Sequence, residues 1–249
     1  MAATSPGSFH SHIPGLADFL VSNSSEAGKF VTDRVSEGSD YIKIISDIPG
    51  PDQSTLNALV HAAHECGEMT VAHAATHAPF LMALEAQADV ITHAPYDKAI
   101  DDAAAKRMFD DKRISVPTLM MCEAMAKNRG PPNDYAHARA SVKAIYDAGV
   151  PILAGTDANA HPGSPCPIPH GESLSQELEL LINAGLSTLD VLRAATVLPA
   201  RHFGLKDRGA IAKGLRADLV LLSANPLHDI RATRSIERIW IGGVEFIGH

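Results

Sequence analysis

Short apolar runs, each closed by a polar residue, alternate along this chain with longer stretches of helical period. Tyr41-Ile42-Lys43-Ile44-Ile45, Thr70-Val71-Ala72-His73, Val90-Ile91-Thr92-His93 and Val150-Pro151-Ile152-Leu153-Ala154 are the most distinct. Ile114-Ser115-Val116-Pro117-Thr118-Leu119 adds a fifth. Continuous apolar runs of this length predict parallel strands covered on both faces. Between them, residues 52–67 place Leu56, Leu59, Val60 and Ala63 on one stripe and close at Gly67, which predicts an amphipathic helix. Residues 78–87, 98–110, 134–148, 172–184 and 188–197 are read as helices in the same way. Strand, helix, strand at this spacing is the βαβ pattern of a parallel sheet or barrel, so the expected class is α/β.

The texture changes near residue 205. Gly209, Gly214, Gly242 and Gly243 punctuate short β-rich pieces at 218–222, 236–241 and 244–247, which predicts a small β appendage. The domain reading is therefore an α/β unit over 1–204 and an appendage over 205–249. The Pro/Gly-rich stretch 161–171 reads as a long surface loop. No internal repeat or low-complexity tract interrupts this order.

Composition narrows the function classes. The chain has 249 residues, 45% hydrophobic and 20% charged, with a formal charge of −8. That acidity argues against a general nucleic-acid partner, which requires a basic footprint. The longest apolar runs fall far short of the roughly 20 residues that span a bilayer, so no membrane association is expected. Met1 to Gly15 has no cationic segment followed by an apolar core, so a cytoplasmic protein without a signal peptide is expected. Cys66, Cys122 and Cys166 form no CxxC, which disfavours a disulfide framework and a thiolate zinc site.

Candidate chemistry gathers at the C-terminal ends of the predicted strands: Lys43, His73, His93 and Asp157. In α/β barrels the βα loops converge on that face and build the active site. Two imidazoles and a carboxylate there suit a divalent metal, with Zn²⁺ first. A lysine within an apolar strand must find an anion or change its chemistry. Taken singly, each histidine reads as a hydrogen-bonded structural residue, and Lys43 could simply pair with Asp47 or Asp157. Their common placement favours the site.

The chain resembles the metal-dependent amidohydrolase superfamily, in the branch of imidazolonepropionase-like enzymes and Xaa-Pro or Xaa-Arg dipeptidases. The matching stretches are Tyr-Ile-Lys-Ile-Ile (41–45), Val-Ala-His-Ala (71–74), Ile-Thr-His-Ala (91–94), Leu-Ala-Gly-Thr-Asp-Ala (153–158), residues 171–181, 185–196 and 209–222. The resemblance implies a partial (β/α)8 TIM-type barrel, strands four to eight with their helices, followed by the remnant of a small β-sandwich. It implies hydrolysis of a C–N bond (amide, cyclic amide or dipeptide) by a metal-activated hydroxide. By the same resemblance Lys43 is carboxylated and bridges two metals, His73 and His93 bind the more exposed ion, and Asp157 binds the other and takes the proton during attack. One or two zinc ions are expected, with a small molecule or dipeptide as substrate. His170 falls where relatives place a substrate-facing loop residue.

One hallmark is missing: an HxH pair ending the first barrel strand. The pair His10-Ser11-His12 lies in the setting Thr4-Ser-Pro-Gly-Ser-Phe, which is not preceded by an apolar strand and resembles the loop after the third strand. His10 and His12 are therefore candidate metal or substrate residues, with the loop or substrate-facing role favoured. On this reading strands one to three are absent, and five strands do not close an eight-stranded barrel. The Lys43 strand is then a bare parallel edge, which invites homo-oligomerisation, a cover formed by the first 40 residues, or a fragment of a longer product. Two further readings stay open: a non-catalytic relative that binds a ligand or partner, and a non-hydrolytic metal-dependent lyase or isomerase.

Overall fold

The computed structural model describes residues 2–13, 15–16, 19–160 and 164–247. Five parallel strands form one sheet in the order β1 (Ala2–Ala3), β2 (Ile42–Ile45), β3 (Thr70–His73), β4 (Val90–Thr92) and β5 (Ile114–Val116). The spatial order equals the chain order and never reverses. With right-handed crossovers, all connecting helices then lie on one face, as in an arc of a barrel.

Those helices are α1 (Ala27–Ser36), α2 (Gln53–Glu65), α3 (His77–Glu85), α4 (Asp102–Asp110), α5 (Leu119–Arg129), α6 (Tyr135–Asp147), α7 (Glu172–Asn183), α8 (Thr188–Ala194) and α9 (Val197–His202). Several start where a short polar side chain can accept an orphan N–H of the first turn. Asp52 accepts from Thr55 at 2.8 Å and Asp101 from Ala104 at 2.8 Å. Asp134 and Ser187 cap α6 and α8 in the same way.

Strand alternation sorts side chains onto two faces. Ile42, Ile44, Ala72 and Ile91 pack toward the helices in the main core. Val71, Val90, Ile114 and Leu153 form a second, inner cluster, closed by Met69, Val116 and Leu198 of α9. Lys43 pairs in register with Val71, and so belongs to the inner face. The three strands β6 (Leu219–Leu222), β7 (Ile236–Ile241) and β8 (Val244–Phe246) form a separate antiparallel sheet. Its Val220, Ile241, Val244 and Phe246 are each more than half exposed.

Four expectations change. The Lys43 strand is not a bare edge: Ala2 and Ala3 pair with Lys43 and Ile44, so a short buried strand does precede the Ser-Pro-Gly loop and the N-terminal residues cover that edge. The run 114–119 stops being a strand at Val116, because Pro117 has no N–H to donate and Thr118 turns left-handed into α5. Residues 150–154 contribute only a single bridge, Ile152 to Ser115, since Pro151 cannot extend the ladder. The predicted 188–197 helix divides into α8 and α9. Part of the predicted loop 161–171, residues 161–163, lies outside the described residues. Among the described residues no helix is long and apolar enough to cross a membrane.

Candidate metal centre

Lys43 near the start of β2, His73 at the end of β3 and His93 just after β4 reach the inner face. Alternation alone puts Lys43, His73 and Thr92 inward and His93 outward. A left-handed backbone at His93 (φ 74°) reverses this, and the imidazole, 3% exposed, turns back to His73. Their nitrogens His93 Nε2 and His73 Nδ1 lie 2.8 Å apart. Thr118 (φ 48°) and Asp157 (φ 57°) are left-handed as well. Such conformations cost about 1–3 kcal/mol each and collect where geometry serves a site.

The outward-facing nitrogens of the imidazole pair are also held. Thr118 Oγ1 lies 2.6 Å from His93 Nδ1, and Asp47 Oδ1 lies 3.6 Å from His73 Nε2. The other Asp47 oxygen is 2.6 Å from His10 Nδ1. A continuous polar chain therefore runs His10, Asp47, His73, His93, Thr118. It leaves His73 Nδ1 and His93 Nε2 facing each other, with both rings oriented from behind, as ligating histidines generally are. Their separation is close to the roughly 3.3 Å between nitrogens that share a tetrahedral zinc at 2.0–2.1 Å each. His10, Asp47 and His73 offer a second set of three ligand atoms within 4.8 Å of one another.

Electrostatics suit cation binding. Burial lowers the His73 and His93 pKa values, His93 strongly, so both rings are neutral near pH 7, the form that binds metal. Burial pushes Lys43 down to about 8, partly opposed by the Asp157 carboxylate. The Lys43 ammonium has one hydrogen bond among the described residues, to Thr92 Oγ1 at 3.4 Å, so the alternative of a simple ion pair with Asp47 or Asp157 is not formed there. Burial raises the Asp157 carboxyl, opposed by Lys43 and His10. At Asp47, burial acts to raise the carboxyl, but the hydrogen bonds from His10 and His73 prevail and hold it far below the usual range.

Lys43, His73 and His93 thus adjoin one another, Asp157 lies close enough to Lys43 to act on its charge, and His10 meets His73 through Asp47. His12 is exposed, and it forms no hydrogen bond or ion pair among the described residues. His170 is exposed on the turn before α7 and is likewise without such contacts. Asp47, Thr92 and Thr118 are additions that strand-end patterning misses, since their roles depend on partners 25–49 residues away. Met121 and Met125 are buried core residues and Met120 packs beside them.

Asp157 follows Gly155, whose position against β5 admits no side chain: a Cβ there would lie 2.7 Å from Val116 Cγ1. Gly155→Ala is expected to destabilise the fold by about 1–3 kcal/mol through overpacking. Urea midpoints of the two proteins measure this, and an unchanged midpoint would contradict the close approach.

The amidohydrolase family profile matches residues 33–245, most of the chain. The chain belongs to the amidohydrolase family. Imidazolonepropionase of Deinococcus deserti is 35% identical over 105 residues, 40% of this chain and 24% of that protein. Adenine deaminase 2 of Desulfotalea psychrophila is 41% identical over 71 residues, 28% of this chain and 11% of that protein. Among solved structures, a Xaa-Pro dipeptidase with methionine bound in its active site superposes with a TM-score of 0.78 at 23% identity, covering 95% of this chain and 61% of that one. The five-stranded arc is thus similar to part of an amidohydrolase barrel, and this chain spans about three fifths of the dipeptidase. A divalent metal is typical of the family, and the donor set described above fits one.

Proposed function

We propose that this amidohydrolase-family chain binds one or two divalent ions, zinc foremost, and hydrolyses a C–N bond of a small amide, cyclic amide or dipeptide. The observation that carries the proposal is the neutral His73–His93 pair facing inward beside a desolvated Lys43, with the Asp157 carboxylate close enough to act on that lysine. Lys43, His73, His93 and Asp157 are the proposed ligands, with the His10–Asp47 pair supporting His73. A bound ion would polarise the scissile carbonyl and make water more acidic. Asp157, its carboxyl raised by burial, is suited to accept the proton of the attacking water and deliver it to the departing nitrogen. Lys43, with its amine neutral at lower pH than an ordinary lysine, is suited to add CO₂: the nitrogen lone pair forms the N–C bond and a proton leaves to solvent. The resulting carbamate is an anion and would relieve the burial of a cation.

Elemental analysis of the purified chain is the test, combined with a panel of amides, lactams and dipeptides. The parent is expected to hold about one or two zinc ions per chain, and His73→Ala and His93→Ala to hold none. A parent without metal after zinc reconstitution would sink the proposal. A second reading is favoured by the limited span, 61% of the Xaa-Pro dipeptidase chain: a relative that retains the ligands but binds without turnover. Stoichiometric metal with no hydrolysis across the panel would select it.

A further inference from the structure

Glu177 of α7 is fully buried at 0% exposure, and both of its carboxylate oxygens point at the start of α5. They accept the backbone N–H groups of Leu119 at 2.9 Å and Met120 at 2.8 Å. A carboxylate removed from water and matched with no cation among the described residues is costly. Burial pushes the Glu177 carboxyl up to about 8, a rise that the two backbone hydrogen bonds and the positive end of α5 oppose.

The residue normally expected to satisfy those N–H groups is the helix cap, here Thr118. Thr118 makes no side-chain capping bond. Its hydroxyl lies instead 2.6 Å from His93 Nδ1, and its backbone is left-handed, an unusual state for a β-branched residue. Two tasks that commonly fall to one threonine are therefore divided. Glu177 closes the helix end from a different helix, and the Thr118 hydroxyl is released to orient an imidazole.

We propose that Glu177 is a positioning residue for the candidate metal centre, fixing Thr118 so that its hydroxyl holds the His93 ring with Nε2 toward His73. The inference rests on the metal-site reading above. Removing one acceptor lets the Leu119–Met120 turn seek its own cap, and the Thr118 hydroxyl is the nearest candidate. His93 then loses its rear partner and its ring orientation.

The experiment uses the full chain with Glu177→Gln, Glu177→Asp and a core control, Leu59→Ala in α2, whose side chain is fully buried on the helix side of the sheet. Cobalt(II) is the metal probe, followed by its visible absorption, and ring nitrogens of the metal-free protein are followed by ¹H–¹⁵N NMR at pH 7. Glu177→Gln is expected to weaken cobalt binding about 10–100-fold, the usual effect of losing an outer partner, and to move the His93 Nδ1 resonance. Leu59→Ala is expected to lower thermal stability without either change. Glu177→Asp retains the carboxyl group but is one methylene short, and carries the same readout if Glu177→Gln does not fold. An unshifted His93 resonance with parental cobalt affinity would overturn the proposal, as would equal changes in Leu59→Ala. If the parent itself binds no cobalt, the metal-site reading fails, while the His93 resonance still decides the role of Glu177.

Discussion

Replacing Asp157 with asparagine is expected to reduce hydrolysis of any substrate found for this chain by roughly a thousandfold, within the 10²–10⁴ range typical of a lost general acid–base group. Asparagine keeps the size, the left-handed tolerance and one oxygen donor at φ 57°, so the fold should survive. What it removes is the site that accepts a proton. The loss should therefore fall on kcat, with KM little altered. The pH profile supplies a second check. Burial raises the Asp157 carboxyl, so the parent rate should decline on the acid side as that carboxyl takes up a proton, at a pH above the ordinary aspartate range. In Asp157→Asn that limb should disappear. Retention of kcat within tenfold would remove Asp157 from the proton transfer.

The second large effect has opposite signs for stability and function. Lys43→Met is expected to abolish metal binding and hydrolysis yet to stabilise the metal-free fold. A buried ammonium with one long hydrogen bond opposes folding, whereas methionine fills a similar volume without charge. Lys43 titrates near 8 in the folded chain against 10.5 when unfolded. Between those values the unfolded chain binds more protons, so the stability of the parent should rise with pH across that window. The gain from Lys43→Met should accordingly be greatest below pH 8, about 2–3 kcal/mol, and vanish above about pH 10.5. Urea denaturation in chelator, with bicarbonate removed, measures it. Chelator matters because a bound ion stabilises the parent by mass action. A Lys43→Met protein less stable than the parent at pH 7 under those conditions would contradict the desolvated ammonium.

Both results depend on residues that are legible from one strand at a time. Lys43 lies within an apolar run and His73 ends one, and a period of two puts both on the inner side; Asp157 follows a run, but its left-handed backbone at φ 57° takes it out of that alternation. His93 is half legible: its place at a strand end is plain, but alternation would turn it away from His73, and only the backbone at φ 74° brings it back. The N-terminal pair was legible as chemistry and not as geometry. His10 reaches Asp47 because β1 pairs beside Lys43 and sets the following loop over the strand ends, while His12 one step further on remains in water. Ala2-Ala3 is too short and too small a run to signal a strand, and its stability comes from pairing with β2 rather than from its own pattern.

The amino-acid sequence by itself determined the α/β order, the change of texture beyond residue 205, and the row of Lys43, His73, His93 and Asp157, because periodicity and strand-end placement are local properties. Tertiary structure decided which of His10 and His12 enters the site and where α5 begins. It also set which groups stand behind the imidazoles: Asp47 behind His73, Thr118 behind His93, and Glu177 at the end of α5. Those partners lie 25–58 residues apart in the chain, and Glu177 offers no local pattern that distinguishes it from Glu179, half a turn away on the same helix. One is buried against the N–H groups of α5 and the other pairs with Arg234 at the surface. The physical reason is that burial and a fixed hydrogen-bond partner are set by what packs against a residue, and that information is distributed over the whole fold.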